Sequence, residues 1–151
     1  MDSRNDRIAI LLSVTPRFAD HILSGNKKVE FRRVKFPSSV KHIVLYATSP
    51  IKRVVGFFEV DGIDEGSPHE LWQRYHRLGS VEEEFFRTYY EGVSLGYAIQ
   101  VGQVYALINP ISLNDLCGFT APPQSFRYLE GNTIARLMQM ARGPCWLIRV
   151  C

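Results

Sequence analysis

The stretch Gly25-Asn26-Lys27-Lys28-Val29-Glu30-Phe31-Arg32 decides how this chain is read. It opens on a glycine, where a tight turn with positive φ costs little. From Lys28 to Val34 the residues then alternate. Val29 and Phe31 fall on one side of an extended strand, and Lys28, Glu30 and Arg32 on the other. Lys27 projects from the turn as a compact, strongly hydrated cation. Alternating charges on a strand are commonly a solvated face. Here a turn that delivers one more cation precedes them, and the segment becomes a candidate site.

Upstream, Ile8 to Val14 is a continuous apolar run and predicts a buried strand. Thr15-Pro16 then predicts a helix N-cap followed by proline in the first turn. Phe18, Ala19, Ile22 and Leu23 recur at helical spacing, and Gly25 stands where a left-handed C-terminal residue is expected. Downstream, Phe36-Pro37-Ser38-Ser39 predicts a loop, His42 to Ala47 a strand, Ser49-Pro50 a turn, and Arg53 to Val60 another strand. Ser67-Pro68-His69-Glu70 has the spacing of a capping box, opening a helix that Gly79 stops. Ser80-Val81-Glu82-Glu83 repeats that spacing and predicts a second helix to Tyr90. Two strands are then expected, Leu95 to Val101 and Gln103 to Ile108, separated by Gly102 and broken by Asn109-Pro110. Leu113 to Leu116 predicts one short turn. Ala121 to Tyr128 is expected as a loop, because Pro122-Pro123 forbids a helix there. Thr133 to Ala141 predicts a short helix and Cys145 to Val150 a last strand.

Six or so short strands with inserted helices and no regular βαβ alternation predict an α+β fold. The expected form is a small, partly open β-barrel, closed by pairing of the first and last strands. Residues 1–151 show no repeat, low-complexity tract or linker, and are expected to form a single domain.

Composition narrows the function. With 46% hydrophobic and 22% charged residues the chain is globular, and it holds no run long enough to span a membrane. Met1 to Arg7 lacks the apolar stretch of a signal peptide, so the expected location is cytoplasmic. Cys117, Cys145 and Cys151 form neither a disulfide framework nor a zinc spacing, and no metal or cofactor is expected. His21, His42, His69 and His76 also lack ligand spacing. The formal charge of +3 permits an anionic partner but is too small for wide coverage of duplex phosphate. A small basic pocket fits that balance better than a long basic stripe.

The motif G-x-K-x-x-E-x-R, as it stands at Gly25, Lys27, Glu30 and Arg32 after a strand and a short helix, resembles the signature of the ASCH family within the PUA-like superfamily. Tyr46-Ala47-Thr48-Ser49-Pro50, Val54-Val55-Gly56, Pro110-Ile111-Ser112-Leu113 and Pro123-Gln124-Ser125-Phe126-Arg127-Tyr128-Leu129 resemble the same branch. The resemblance spans roughly Ile8 to Leu129. It implies a PUA-like β-barrel of about six strands with flanking helices, and a cleft between barrel and helices lined by the motif. It further implies RNA binding, with hydrolase or ribonuclease activity in some members. A fold alone does not set the function.

The chemistry of the residues supports a site. Arg32 offers a planar fork for phosphate or a base edge. Glu30, beside two cations, could orient Arg32, accept from a base amino group, or act as a base toward water. Tyr46 and Ser49, at a strand end and the following turn, are candidate ligand contacts, Tyr46 by stacking. Gln124, Ser125 and Arg127 lie in a proline-stiffened loop suited to reading base edges. Lys52 and Arg53 read as solvated surface. Trp72, Tyr75, Phe85, Phe86, Tyr89 and Tyr90 read as packing between helices and barrel.

Three functions remain open. The first is a module binding single-stranded RNA or a plain or modified nucleoside. The second is a hydrolase with Lys27 and Glu30 as catalytic residues. One ASCH branch looks like an amidohydrolase whose threonine nucleophile aligns with Glu30, so its acyl-transfer mechanism does not carry over, and RNA cleavage is what remains of the enzyme reading. The third is a transcription-associated interaction domain using Ser67 to Tyr90 as its surface.

Overall fold

The computed structural model describes residues 8–141. The expected last strand, Cys145 to Val150, lies outside the described residues. All described strands join one six-stranded mixed sheet in the order β2-β5-β4-β3-β1-β6. β1 (Ile8–Val14) runs parallel to β3 (Val40–Ala47) and antiparallel to β6 (Phe126–Leu129). β4 (Arg53–Gly66) pairs antiparallel with β3 and with β5 (Gly96–Ile111), and β5 carries β2 (Val29–Arg32) on its far edge.

The apolar run of β1 follows from its place in the sheet. Ile10, Leu12 and Val14 point into a cluster with Ile22, Ile43, Leu45 and Ile99. Leu11 points the other way, into a cluster with Val44, Tyr46, Phe57, Leu116 and Leu137. A strand buried on both faces has no polar face to alternate with.

Three features differ from expectation. Among the described residues the sheet is not closed into a barrel: β2 and β6 are its edges. The partner of β1 is β6, drawn from the segment expected as a loop. Proline bars a helix there but not a strand that begins three residues later. The strands expected on either side of Gly102 are one, β5. A Cβ on Gly102 would come within 2.5 Å of the Asp61 carboxylate and 2.8 Å of the Glu59 carbonyl. Glycine therefore lets β4 and β5 approach where their register shifts between Phe58 and Gly62. Pro110 falls in a second irregular stretch, between the paired residues Ala106 and Ile111.

The helices flank this sheet. α1 (Pro16–Leu23) carries proline in its first turn, but Thr15 makes no side-chain cap bond. α2 (Pro68–Gly79) opens on the full capping box of Ser67 and Glu70. α3 (Glu83–Tyr89) begins at Glu82 without a side-chain cap. The second capping box does not form, because Ser80 instead ends α2 in the left-handed conformation, with φ of 52°. α4 (Leu113–Cys117) and α5 (Thr133–Met140) cover the cluster around Leu11. α2 and α3 pack Leu71 and Phe86 against Val29 and Phe31 of β2. Among the described residues, no helix is long and apolar enough to cross a membrane.

Candidate functional site

The turn at Gly25 is pinned from both sides. Gly25 has φ of 87°, and its N–H donates to the Ile22 carbonyl at 3.1 Å. Two residues on, the Lys27 N–H donates to the His21 carbonyl at 2.8 Å, and the Lys28 N–H donates to the Leu78 carbonyl at 2.7 Å. The chain is thus clasped between the end of α1 and the end of α2. The His21 ring nitrogen Nδ1, 2.8 Å from the Ser80 hydroxyl, straps the same two elements together.

That clasp buries Lys27, which is 1% exposed rather than hydrated at the turn. Its Nζ donates to the Gly79 carbonyl oxygen, at the negative end of the α2 dipole. Nζ also lies 3.6 Å from Glu30 Oε1 and 4.7 Å and 5.7 Å from the ring centroids of Phe18 and Phe31. Burial pushes the Lys27 ammonium below its ordinary pKa of 10.5, while Glu30 opposes the shift. Glu30, itself buried, sits between two cations, with its Oε2 3.3 Å from Arg32 Nη1. Arg32 Nη2 extends to the carbonyls of Ser13 at 3.4 Å and Ser125 at 3.5 Å. One guanidinium therefore joins the β2 edge to the end of β1 and the segment before β6, where no backbone ladder closes the sheet.

Lys27, Glu30 and Arg32 line one cavity of about 260 Å³. Thr15 and Phe18 of the α1 entry, Ser13 and Val14 of β1, Thr48 after β3, Phe31, Val81, Phe85, Phe86 and Tyr89, and Gln124 complete its wall. The Ser13 hydroxyl is committed to the Pro123 carbonyl at 2.8 Å. The arrangement is a row of alternating charge at one side of an aromatic chamber. It can pair with a phosphate or with the donor and acceptor pattern of a base edge.

The other candidates distribute differently. Gly25 shapes the turn, Gln124 lines the cavity, and Ser125 supplies a carbonyl to Arg32. Tyr46 is buried in the cluster around Leu11 and does not line the cavity. Ser49 is exposed, ahead of a cis bond to Pro50. Arg127 is exposed and lies over the Phe119 ring, 3.4 Å from its centroid. The sequence reading missed Phe18, Phe85 and Tyr89 as lining residues. The signal was there: 85/89 and 86/90 are two i, i+4 pairs on adjacent stripes of one short helix and its C-cap. A seven-residue helix cannot bury both stripes.

No family model matches the chain. It is 36% identical over 139 residues to a protein of Zymomonas mobilis named ASCH domain-containing ribonuclease, an alignment covering 89% of this chain and 93% of the relative. It is also 28% identical to large ribosomal subunit protein uL22 of Ureaplasma parvum, where it spans only 39% of the relative's length. Among solved structures, ASCH from Zymomonas mobilis superposes with a TM-score of 0.79 at 32% identity, covering 91% of this chain and 97% of that one. A serine-to-alanine mutant of the same protein gives 0.80 at 33% identity over 91% and 99%. Identity and shared fold over nearly the full length of both proteins, together with the motif at Lys27, Glu30 and Arg32, show that the chain belongs to the ASCH domain family.

Proposed function

We propose that the protein binds RNA, seating one unpaired nucleotide, plain or modified, in the cavity beside Lys27, Glu30 and Arg32. The observation that carries this reading is the placement of a buried carboxylate between two cations inside an aromatic chamber. Glu30 and Gln124 read the polar edge of the base, Arg32 takes a base acceptor or a phosphate, and the aromatic wall stacks. At about 260 Å³ the space suits one base or nucleoside. It falls below the roughly 300–1,000 Å³ of sites for larger ligands. A basic cleft of this size goes with the modest charge of +3, which favours a single strand or loop over a duplex. A cytoplasmic location goes with the same reading.

The name of the Zymomonas relative favours a second reading, in which bound RNA is also cut. Glu30 would take the proton of a ribose 2′-hydroxyl as its oxygen bonds to the adjacent phosphorus. The bond from phosphorus to the 5′ oxygen would break, that oxygen taking a proton from water. Arg32 or Lys27 would stabilise the charge on the phosphate. Acyl transfer is not part of this proposal, because Glu30 stands where the amidohydrolase branch has its threonine.

The test is a titration of wild type and Glu30→Gln with short single-stranded RNA and with plain and modified nucleosides, checking the products. Intact ligand bound by wild type, and lost or weakened at least tenfold in Glu30→Gln, supports the binding module. Cleavage that stops in Glu30→Gln while binding persists supports the ribonuclease. Wild type that neither binds nor cuts any of them removes both readings.

A further inference from the structure

The rim of the cavity carries an order of its own. Arg17, in the first turn of α1, lies over the Phe18 ring with Cζ 5.8 Å from its centroid. Phe18 meets Phe85 of α3 edge to face, with centroids 5.4 Å apart and planes at 86°. Phe85 lies parallel to Tyr89 within 7°, at 6.5 Å. Arg33, the residue after β2, covers the Tyr89 ring at 4.8 Å. Five side chains, from α1, α3 and the residue after β2, thus form one arc: cation, three rings, cation.

The core accounts for only part of this arc, through Tyr89, which packs against the cluster of Phe31 and Phe86. Phe85 is 51% exposed, and Arg17 and Arg33 are exposed. Phe86 and Tyr90, with the half-buried Tyr89 beside them, do the packing of α3, and Phe85 takes no part in that cluster. A Glu83–Arg87 pair within α3 occupies that carboxylate, and Arg17 and Arg33 bring positive charge to both ends of the aromatic row.

We infer that this arc is a track for single-stranded RNA, on which bases stack against Phe85 and Tyr89 while Arg17 and Arg33 hold the phosphates on either side. The inference rests on the RNA reading of the pocket and names the substrate as a strand that continues past the pocket on both sides, rather than a free nucleoside. Aromatic stacking accepts any base, and guanidinium forks suit phosphate, which is the pattern of strand-tracking surfaces. A duplex hides its base faces and would need more cations than two.

The experiment measures fluorescence anisotropy of a labelled eight-nucleotide oligouridylate over a series of salt concentrations, with its length verified on a gel after each titration. Nucleoside binding is measured in parallel. The variants are Arg17→Gln with Arg33→Gln, both at exposed positions outside the cavity lining, and separately Phe85→Ala, which also alters the cavity wall. The double arginine variant is expected to bind the oligonucleotide at least tenfold more weakly. Its log–log salt slope should be shallower by about 1.4, from roughly 0.7 per lost phosphate contact. Phe85→Ala is expected to lose about tenfold in oligonucleotide affinity with an unchanged salt slope. Nucleoside binding should persist in the arginine variant. Oligonucleotide affinity and slope equal to wild type in the arginine variant would overturn the track. So would a wild-type protein that binds nucleosides but no oligonucleotide, an outcome that leaves the pocket standing. A wild type that binds neither removes track and pocket together.

Discussion

The ammonium of Lys27 donates to the backbone carbonyl of Gly79, 52 residues away in sequence, and both lie in the interior. This contact ties the motif on β2 to the end of α2. It also explains why the helical insert and the charged strand form one site: the carbonyls left free at a helix C-terminus are what a buried ammonium requires.

A side chain at Gly79 would have to displace the Phe31 ring. A Cβ there would stand 2.3 Å from Phe31 Cε2. Alanine is otherwise the better helix former. Gly79→Ala is therefore expected to destabilise by about 1–3 kcal/mol through overpacking, and to weaken ligand binding as Phe31 shifts. Urea denaturation checks the first, and a stability equal to wild type would contradict the contact.

Lys27 and Glu30 should prove strongly non-additive. Removing Glu30 strands the Lys27 ammonium in the interior, at about 3–5 kcal/mol for a broken buried pair, whereas removing Lys27 leaves Glu30 with Arg32 as its remaining cation. Removing both leaves Arg32 without its carboxylate, but it keeps the Ser13 and Ser125 carbonyls and lies close enough to the surface for water to reach it. Lys27→Met combined with Glu30→Gln is expected to be more stable than the sum of the single changes predicts, by about 0.5–3 kcal/mol. A double-mutant cycle in denaturant measures this, and simple additivity would mean that the two charges do not interact.

Arg32 holds the two edges of the open sheet near each other through the Ser13 and Ser125 carbonyls. Arg32→Ala is expected to speed amide hydrogen exchange in β6 by roughly tenfold, as about 1.4 kcal/mol of local stability is lost. Protection in β4, at the centre of the sheet, should stay as in wild type. Unchanged exchange in β6 would show that the edge is held otherwise.

His42 makes stability depend on pH. Burial holds its imidazole below the ordinary 6.5, and Glu59 beside it pulls weakly the other way. Below about pH 6.5 the unfolded chain takes up a proton that the folded imidazole still refuses, so stability falls with acid through that window. The loss is complete once the folded imidazole is also protonated. His42→Gln should flatten the slope between pH 5 and 7 relative to wild type. Equal slopes in thermal unfolding would rule His42 out as the cause.

The sequence by itself determined the local parts of this protein. Gly25 required its turn because only glycine enters that conformation at little cost. Ser67 and Glu70 capped α2 within four residues of each other. The alternation from Val29 to Arg32 separated a packing face from a charged one, and the motif at Lys27, Glu30 and Arg32 named both the family and the residues that meet in the cavity. These signals act over a few residues, so they are legible one window at a time.

Only the tertiary structure decided the rest. That Lys27 is buried depends on α2 ending where its carbonyls meet the turn. That Ser80 ends one helix instead of opening the next depends on the same junction. The choice of β6 as partner for β1, and the open edge that Arg32 spans, follow from which strands reach one another. Phe18 and Phe85 become one wall only when α1 and α3 converge on β2. Burial and strand pairing are sums over contacts distant in the chain, and no local pattern contains them.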